Sequence, residues 1–273
     1  MNLYDRIFKP TVIILANGKT VIEKRSRTPL IIAFITAAII LSAAVTGFDL
    51  SILFSRLRYF FVMLQAMVPP SFDYMSQVWK PLWDTIKMSL LGSFAGALLC
   101  IPFAILSSAN LVRSKLVTSV FKLLFSVVRT LPTLVVALIA TYIFGLGTLA
   151  GTIAIAVFTF AYCGKILYES IETCSMLSYE ALEAMGCTRL SAIRYAIVPQ
   201  VTASYLSTVL FCFEGNVRYA AILGYVGAGG LGLILNEKIG WREYDKVGMI
   251  LLALFVTVAC IEMLSQYLRS KLV

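Results

Sequence analysis

The chain has 273 residues, 60 % of them apolar and 14 % charged, and its 23 Lys and Arg residues outnumber 14 Asp and Glu residues. Soluble globular proteins are about 45–50 % apolar and about 25 % charged, so a soluble fold of this composition would expose large apolar patches and aggregate. A disordered chain needs low hydrophobicity and is excluded as well. The remaining class is a protein that crosses a lipid bilayer several times.

The basic excess and the missing residue types narrow the chemistry further. Cytoplasmic loops of membrane proteins collect Lys and Arg, which accounts for the net charge of +9 without nucleic-acid binding. The sequence has no histidine, which excludes histidine catalysis and histidine metal ligation. None of the six cysteines forms a CxxC pair, so we expect neither a metal site nor a disulfide.

Six apolar runs predict an all-α membrane protein with six transmembrane helices, since about 20 apolar residues span roughly 30 Å of hydrocarbon. Residues 1–29 are predicted to be a cytoplasmic segment, and 30–273 the transmembrane domain. Trp79 and Trp83 suit an interfacial segment at 49–84 that leads into the second span. The predicted spans are, in chain order, 30–48, 85–108, 121–144, 149–167, 201–223 and 247–264.

The basic residues of the loops predict how the chain threads the bilayer. Most of them fall on one side if the N-terminus is cytoplasmic, which agrees with the positive-inside rule. Both termini are therefore predicted to be cytoplasmic. The one long cytoplasmic loop is then 168–199, between the fourth and fifth spans.

Glu214, Arg218 and Arg129 lie well away from the ends of predicted spans, where charge is costly and usually faces a bundle interior or a cavity. Glu214 and Arg218 are four residues apart and can pair on one helix face. The pair either holds spans together or belongs to a gate in the substrate path. Arg129 has no acidic residue three or four positions away, so it needs another span, a water-filled cavity or an anion.

A glycine-rich run at 227–232 fits the pattern G-x-G-x-x-G of dinucleotide-binding turns. That motif needs a preceding strand and an acidic residue at the end of a second strand, whereas here a helix-length apolar span precedes it. Dinucleotide binding is therefore rejected. Two interpretations remain open: the glycines allow helices to pack closely, or they form irregular backbone along a water-filled path.

The cytoplasmic loop 168–199 predicts a short helix, a glycine turn and a second helix. Ser178 is a suitable N-cap for the first helix and Thr188 for the second. Gly186 suits a left-handed helix end between them. Pro199 stands near the start of the fifth span, where its missing N–H costs little.

This loop resembles the EAA motif of ABC-importer permeases, E-A-A-x3-G-x9-I-x-L-P. Glu180, Ala181, Gly186 and Pro199 match it in register, and Leu182 replaces its second alanine. In that family the loop is a coupling helix that docks on a separate ATPase subunit. The resemblance implies a type I ABC importer permease fold in a bacterial inner membrane.

A narrower resemblance to phosphonate-type permeases rests on Arg129-Thr130-Leu131-Pro132-Thr133-Leu134, on the stretch from Glu214 to Arg218, and on the glycine-rich run. It implies a homodimeric permease with two ABC ATPase subunits and an external binding protein. The residues that we predict to form the translocation path or its gate are Arg129, Thr130, Pro132, Glu214, Asn216, Arg218, Gly227, Gly229 and Gly230.

The expected function is ATP-driven import of a phosphonate or a related phosphorus oxyanion, with no chemistry catalysed by this chain. The chain is expected to bind no cofactor, because ATP and Mg would lie on the partner ATPase. One alternative is an importer of the same class for methionine or another small solute. A different class, an ion-coupled secondary transporter, would be favoured by inverted repeats, and we find none in the sequence.

Overall fold

The computed structural model of the chain describes residues 11–14, 18–23 and 28–272, so much of the predicted segment 1–29 lies outside the described residues. The described chain is helical except for a hairpin of two antiparallel strands, β1 (Thr11–Ile14) and β2 (Thr20–Glu23). It divides into two compact units, Met1–Val62 and Met63–Val273. The domain boundary predicted at residue 30 remains a prediction.

The first unit contains helix α1 (Thr28–Thr46) and most of helix α2 (Leu50–Ala66). Helix α1 consists of apolar residues apart from three threonines, a serine and a proline in its first turn, and it is long enough to cross a bilayer. Helix α2 lies within the segment 49–84, whose interfacial location stays a prediction. No Pro or Gly interrupts residues 50–66, so the chain forms a helix there, and the break comes only at Pro69–Pro70.

The second unit begins with the end of α2, followed by a short 3-10 turn at Phe72–Tyr74, and contains nine further α-helices among its described residues. Helix α3 follows that turn directly, so the two predicted interfacial tryptophans lie in its first three turns. The helices are α3 (Met75–Ser107), α4 (Lys115–Thr130), α5 (Thr133–Phe144), α6 (Thr148–Thr173), α7 (Leu177–Ala184), α8 (Arg189–Ala192), α9 (Val198–Leu223), α10 (Leu231–Gly240) and α11 (Tyr244–Leu272).

Five helical segments among the described residues are long and apolar enough to cross a membrane. Helices α4 and α5 together qualify as a sixth, but they are bent by 88°. The continuous helix predicted over 121–144 is therefore wrong at the bend. Pro132 disfavours helical backbone at the residue before it, and Leu131 is extended with φ −75° and ψ 121°.

The packing of α3 against α6 shows that the bent pair crosses the bundle once. A Cβ placed on Gly92 would lie 2.8 Å from Cβ of Ile155, and one on Gly96 would lie 2.9 Å from Cβ of Thr159. The contacts advance along both helices together, so α3 and α6 are parallel. The end of α3 and the start of α6 consequently lie at opposite ends of the bundle, and α4 and α5 must connect them. This agrees with the six predicted spans.

One end of the bundle, which we call the coupling-loop end, is closed by an apolar cluster. Ala104 of α3, Ile171 of α6 and Val201 of α9 are buried in it together with Tyr179 of α7. At the opposite end, the N–H of Gly147 donates to the carbonyl oxygen of Gly227 over 2.9 Å. The loop with the EAA-like sequence and the glycine-rich run therefore lie at different ends.

Candidate coupling loop and translocation path

The turn after α7 has the geometry that its glycine predicts. Gly186 has φ +86°, in the left-handed region. Its N–H donates to the carbonyl of Glu183 over 3.0 Å, and the N–H of Cys187 donates to the carbonyl of Leu182 over 3.1 Å. These two bonds form a Schellman motif, which satisfies the last carbonyls of the helix. The predicted left-handed position is confirmed.

The two predicted helix caps in this loop have different outcomes. Thr188 caps α8, since its Oγ1 accepts from the N–H of Ser191 over 3.4 Å. Ser178 is not a cap, because the carbonyl of Met176 already accepts from the N–H of Glu180 over 2.9 Å. Helix α7 therefore begins earlier than predicted, and Ser178 lies in its first turn.

Helix α7 packs one face against the bundle and leaves its other face exposed. Tyr179 is buried and Leu182 half-buried against the apolar cluster at the coupling-loop end. Glu180 and Ala181 are exposed on the other face. Beyond the turn, Leu190 is 81 % exposed.

A polar anchor that the sequence did not reveal ties the loop to α9. The side-chain amide of Gln200 donates to the carbonyl of Ser175 over 3.1 Å and accepts from the N–H of Ser175 over 3.1 Å. Pro199 precedes it in the first turn of α9, as predicted. A second tie is the ion pair between Lys122 of α4 and Glu172 of α6, at 2.8 Å. These contacts join the loop to α9 and the end of α6 to α4.

The bend between α4 and α5 brings the predicted path residues of the third span to a break in the backbone. Arg129 lies exposed in the last turn of α4, where a cation is favoured by the helix dipole, and it has no ion pair within the described residues. Thr130 follows it and Pro132 precedes α5 as its N-cap. Non-helical backbone at membrane depth is tolerated where it is buried in protein or lines water.

Glu214 and Arg218 form the predicted ion pair on α9. A second partner was not predicted: Nη2 of Arg269, on α11, lies 3.4 Å from the other carboxylate oxygen of Glu214. The side chain of Glu214 is 6 % exposed, that of Arg269 26 % and that of Arg218 54 %. Two guanidinium groups thus share one buried carboxylate, and the cluster carries a net charge of +1.

Arg218 opens onto a cavity of about 440 Å³ between α6 and α9. Four of its nine lining residues are aromatic, namely Phe158, Tyr162, Phe211 and Tyr219, and Asn216 also lines it. A guanidinium group at the wall of an apolar cavity is suited to bind an anion, because its planar fork donates two parallel hydrogen bonds.

Asn216 joins three helices. Its Nδ2 donates to Oγ of Ser93 on α3 and to Oγ1 of Thr159 on α6, both over 2.8 Å. Its backbone carbonyl oxygen accepts from Oγ of Ser89 over 3.3 Å. Both amide protons are used inside the bundle, so the visible role of Asn216 is packing, and its predicted place in the path stays a prediction. Serine and threonine at every fourth position of α3, starting at Thr85, are the signal that could have indicated this network.

The glycine-rich run packs closely against its neighbours. Gly229 and Gly230 have φ of +77° and +71°. A Cβ on Gly229 would lie 3.0 Å from the backbone nitrogen of Thr148, and one on Gly230 would lie 2.6 Å from Oγ1 of Thr85. A Cβ on Gly227 would collide with Leu146. Of the two interpretations left open, close packing describes this geometry, and the run follows helix α9 rather than a strand.

An ion network joins α10 to α11 at the opposite end. The carboxylate of Glu243 lies 2.9 Å from Nζ of Lys246 and 3.1 Å from Nζ of Lys238. The hydrogen bond from Lys246, followed by that from Lys238, holds the pKa of Glu243 below its usual value. Both ammonium groups also lie within 6 Å of the ring of Tyr74, at 5.5 and 5.7 Å. This network fixes the loop at 241–243 against the start of α3.

A family profile described as "Binding-protein-dependent transport system inner membrane component" matches residues 100–272. The chain belongs to this family and is a multi-pass inner-membrane transport protein.

The relatives agree with the predicted subfamily. "Phosphate-import permease protein PhnE" of Mycolicibacterium smegmatis is 32 % identical over 208 residues, which is 76 % of this chain but 39 % of that protein. "Putative phosphite transport system permease protein HtxC" of Stutzerimonas stutzeri is 28 % identical over 263 residues, 94 % of this chain and 91 % of the relative. Thus the chain spans about two fifths of the mycobacterial relative and nearly all of the other.

A solved structure of the MetNI methionine ABC transporter, described as inward facing, matches 74 % of this chain and 99 % of its own, with 20 % identity and a TM-score of 0.66. At that identity the likeness shows the fold alone. The predicted fold, that of a type I ABC importer permease, is confirmed.

Proposed function

We propose that this chain is the permease subunit of an ATP-driven importer for phosphonate, phosphite or a related phosphorus oxyanion. The observation that carries the proposal is the similarity over nearly the full length of a relative named as a phosphite transport permease. The arginine cluster with its net positive charge, open to the cavity between α6 and α9, supports an anionic cargo. The methionine alternative has weaker support, because a relative named as a probable D-methionine transport permease is 26 % identical over 198 residues, 69 % of this chain.

The coupling loop supplies the ATPase contact in this proposal. Two ABC ATPase subunits dock on the exposed face of α7 and α8, around Glu180, Ala181 and Leu190, in a complex with two copies of this chain. ATP and Mg are bound by the ATPase subunits, and this chain binds no cofactor. Closure of the ATPase pair pushes on the loops, and the anchors at Gln200 and Glu172 pass that push to α9, α6 and α4.

The direction of transport follows from the two ends of the bundle. The coupling-loop end and both termini face the cytoplasm, and the opposite end receives the cargo from an external binding protein. Between them the cargo passes the break at Arg129 and the cavity at Arg218. Glu214, Thr130 and Pro132 shape this route, and the packed glycines Gly227, Gly229 and Gly230 hold its outer end closed.

Uptake into vesicles tests the proposal. The chain is reconstituted with the ATPase and binding-protein subunits of its transport system, and entry of labelled phosphite is measured with ATP inside. We expect ATP-dependent uptake that unlabelled methylphosphonate inhibits and methionine does not. The Glu180→Lys variant, altered on the exposed docking face, should insert normally and transport poorly. Uptake of methionine would favour the alternative cargo, and uptake driven by an ion gradient without ATP would overturn the ABC assignment.

A further inference from the structure

The two arginines that share Glu214 are held to different degrees. Arg269 makes three contacts: its Nη2 lies 3.4 Å from Glu214, its Nε donates to the carbonyl of Ser265 over 3.4 Å, and its guanidinium lies 5.8 Å from the ring centroid of Phe211. Arg218 has one partner among the described residues, which is Glu214. Arg218 is also the more exposed of the two. Arg269 is therefore held by three groups, whereas Arg218 is held by Glu214 alone.

Because Glu214 has a second arginine partner, Arg218 can leave it at a lower electrostatic cost. If Arg218 moved away from a carboxylate that had no other partner, it would leave an uncompensated charge in a buried site, which is strongly unfavourable. Arg269 keeps Glu214 neutralised after Arg218 has left. Because the cluster carries two cations and one anion, the departure of Arg218 leaves a neutral pair and one free guanidinium.

The cavity beside Arg218 offers the second partner for that guanidinium. Tyr162 and Tyr219 line the same cavity, and a phenolic hydroxyl can donate to an oxyanion oxygen. A phosphorus oxyanion presents two or three oxygens, which match the parallel donors of an arginine fork.

We propose that Arg218 exchanges Glu214 for the phosphorus oxyanion in this cavity, while Arg269 acts as a positioning residue that keeps Glu214 neutralised. This inference rests on the proposed oxyanion cargo and adds the site that receives it inside the membrane. Release of the anion returns Arg218 to Glu214, so the carboxylate competes with the cargo and prevents it from being trapped.

Binding of phosphite to the purified permease in lipid nanodiscs, followed by phosphorus NMR, tests the exchange without transport. The wild type should bind phosphite saturably. Arg218→Gln should abolish binding, and Arg218→Lys should weaken it about tenfold, because a charge is kept while the fork is lost. Arg113→Lys, an exposed arginine at the coupling-loop end, is the matched control and should bind as the wild type does.

Arg269 gives the sharper test. In Arg269→Gln, Arg218 is the only remaining partner of Glu214 and should stay there, so phosphite binding should weaken about tenfold or more. The double variant Arg269→Gln with Glu214→Gln frees Arg218 again and should recover most of the binding. If the cluster only held helices together, the double variant would not recover phosphite binding.

The outcomes separate this inference from the proposed function. Wild-type phosphite uptake without Arg218-dependent binding would overturn the exchange and keep the importer. Binding that depends on Arg218 and recovers in the double variant, without ATP-driven uptake, would keep the site and overturn the importer. Binding equal to wild type in Arg269→Gln would overturn the role of Arg269, whatever the uptake.

Discussion

Replacing Gly186 by valine should detach the coupling helix from its ATPase without unfolding the bundle. A Cβ on Gly186 would meet nothing within 4 Å, so sterics with neighbours cost nothing, and the penalty comes from φ +86° alone. A non-glycine residue in that region costs about 1–2 kcal/mol, with β-branched residues at the unfavourable end. About 2 kcal/mol shifts a local equilibrium roughly 30-fold.

The local element is small enough for that shift to matter. Helix α7 has eight residues, and Tyr179 is its one fully buried side chain. We expect Gly186→Val to express and insert normally, to show faster amide exchange over 177–192, and to lose copurification with the ATPase. Gly240→Val is the matched control, because that glycine also has open space around it but no positive φ.

Wild-type exchange and wild-type ATPase copurification in Gly186→Val would refute this reasoning. They would mean that the Schellman turn does not set the shape of the docking surface. Gly186→Ala should show amide exchange and ATPase copurification between those of the wild type and of Gly186→Val, because alanine has the same φ without a branched Cβ.

Three further predictions address topology, the membrane arginine and the ion network. Reporter fusions after Gly147 should report an external location and fusions after Cys187 a cytoplasmic one; an external report at Cys187 would end the coupling-loop assignment. Arg129→Lys should reduce phosphite uptake while assembly and basal ATPase activity persist, and uptake at the wild-type rate would make Arg129 structural. Because the pKa of Glu243 is lowered by Lys246, its contribution to stability is present above pH 4.5 and is lost as the pH falls through the lower folded-state pKa. The Tm advantage of the wild type over Glu243→Gln should therefore shrink in acid, and an advantage that grows there would contradict the network.

Features that depend on neighbouring residues in the chain could be predicted from the sequence. The apolar runs predicted the number of spans, and Gly186 and Thr188 predicted a left-handed turn and a cap because both are local backbone chemistry. Ser178 was misplaced because one helical turn offers several residues able to start it. The bend at Pro132 was visible in the sequence, but the apolar run around it favoured a continuous helix.

Features made by distant residues could not be predicted. Arg269 lies 55 residues from Glu214 along the chain and resembles any other basic residue in a terminal segment. The cavity beside Arg218 exists only once α6 and α9 pack together. Asn216 could have been assigned to packing from the polar residues of α3, because a buried amide needs partners and they recur on one helix face.

The rate of ATP hydrolysis by the assembled transporter tests the central claim most directly. The permease and ATPase subunits are reconstituted together, and hydrolysis is measured with the binding protein empty, loaded with phosphite, or incubated with methionine. The account predicts stimulation by the phosphite-loaded binding protein, little by the other two, and loss of that stimulation in Gly186→Val. Hydrolysis that is the same in all three conditions, or the same without this chain, would contradict it.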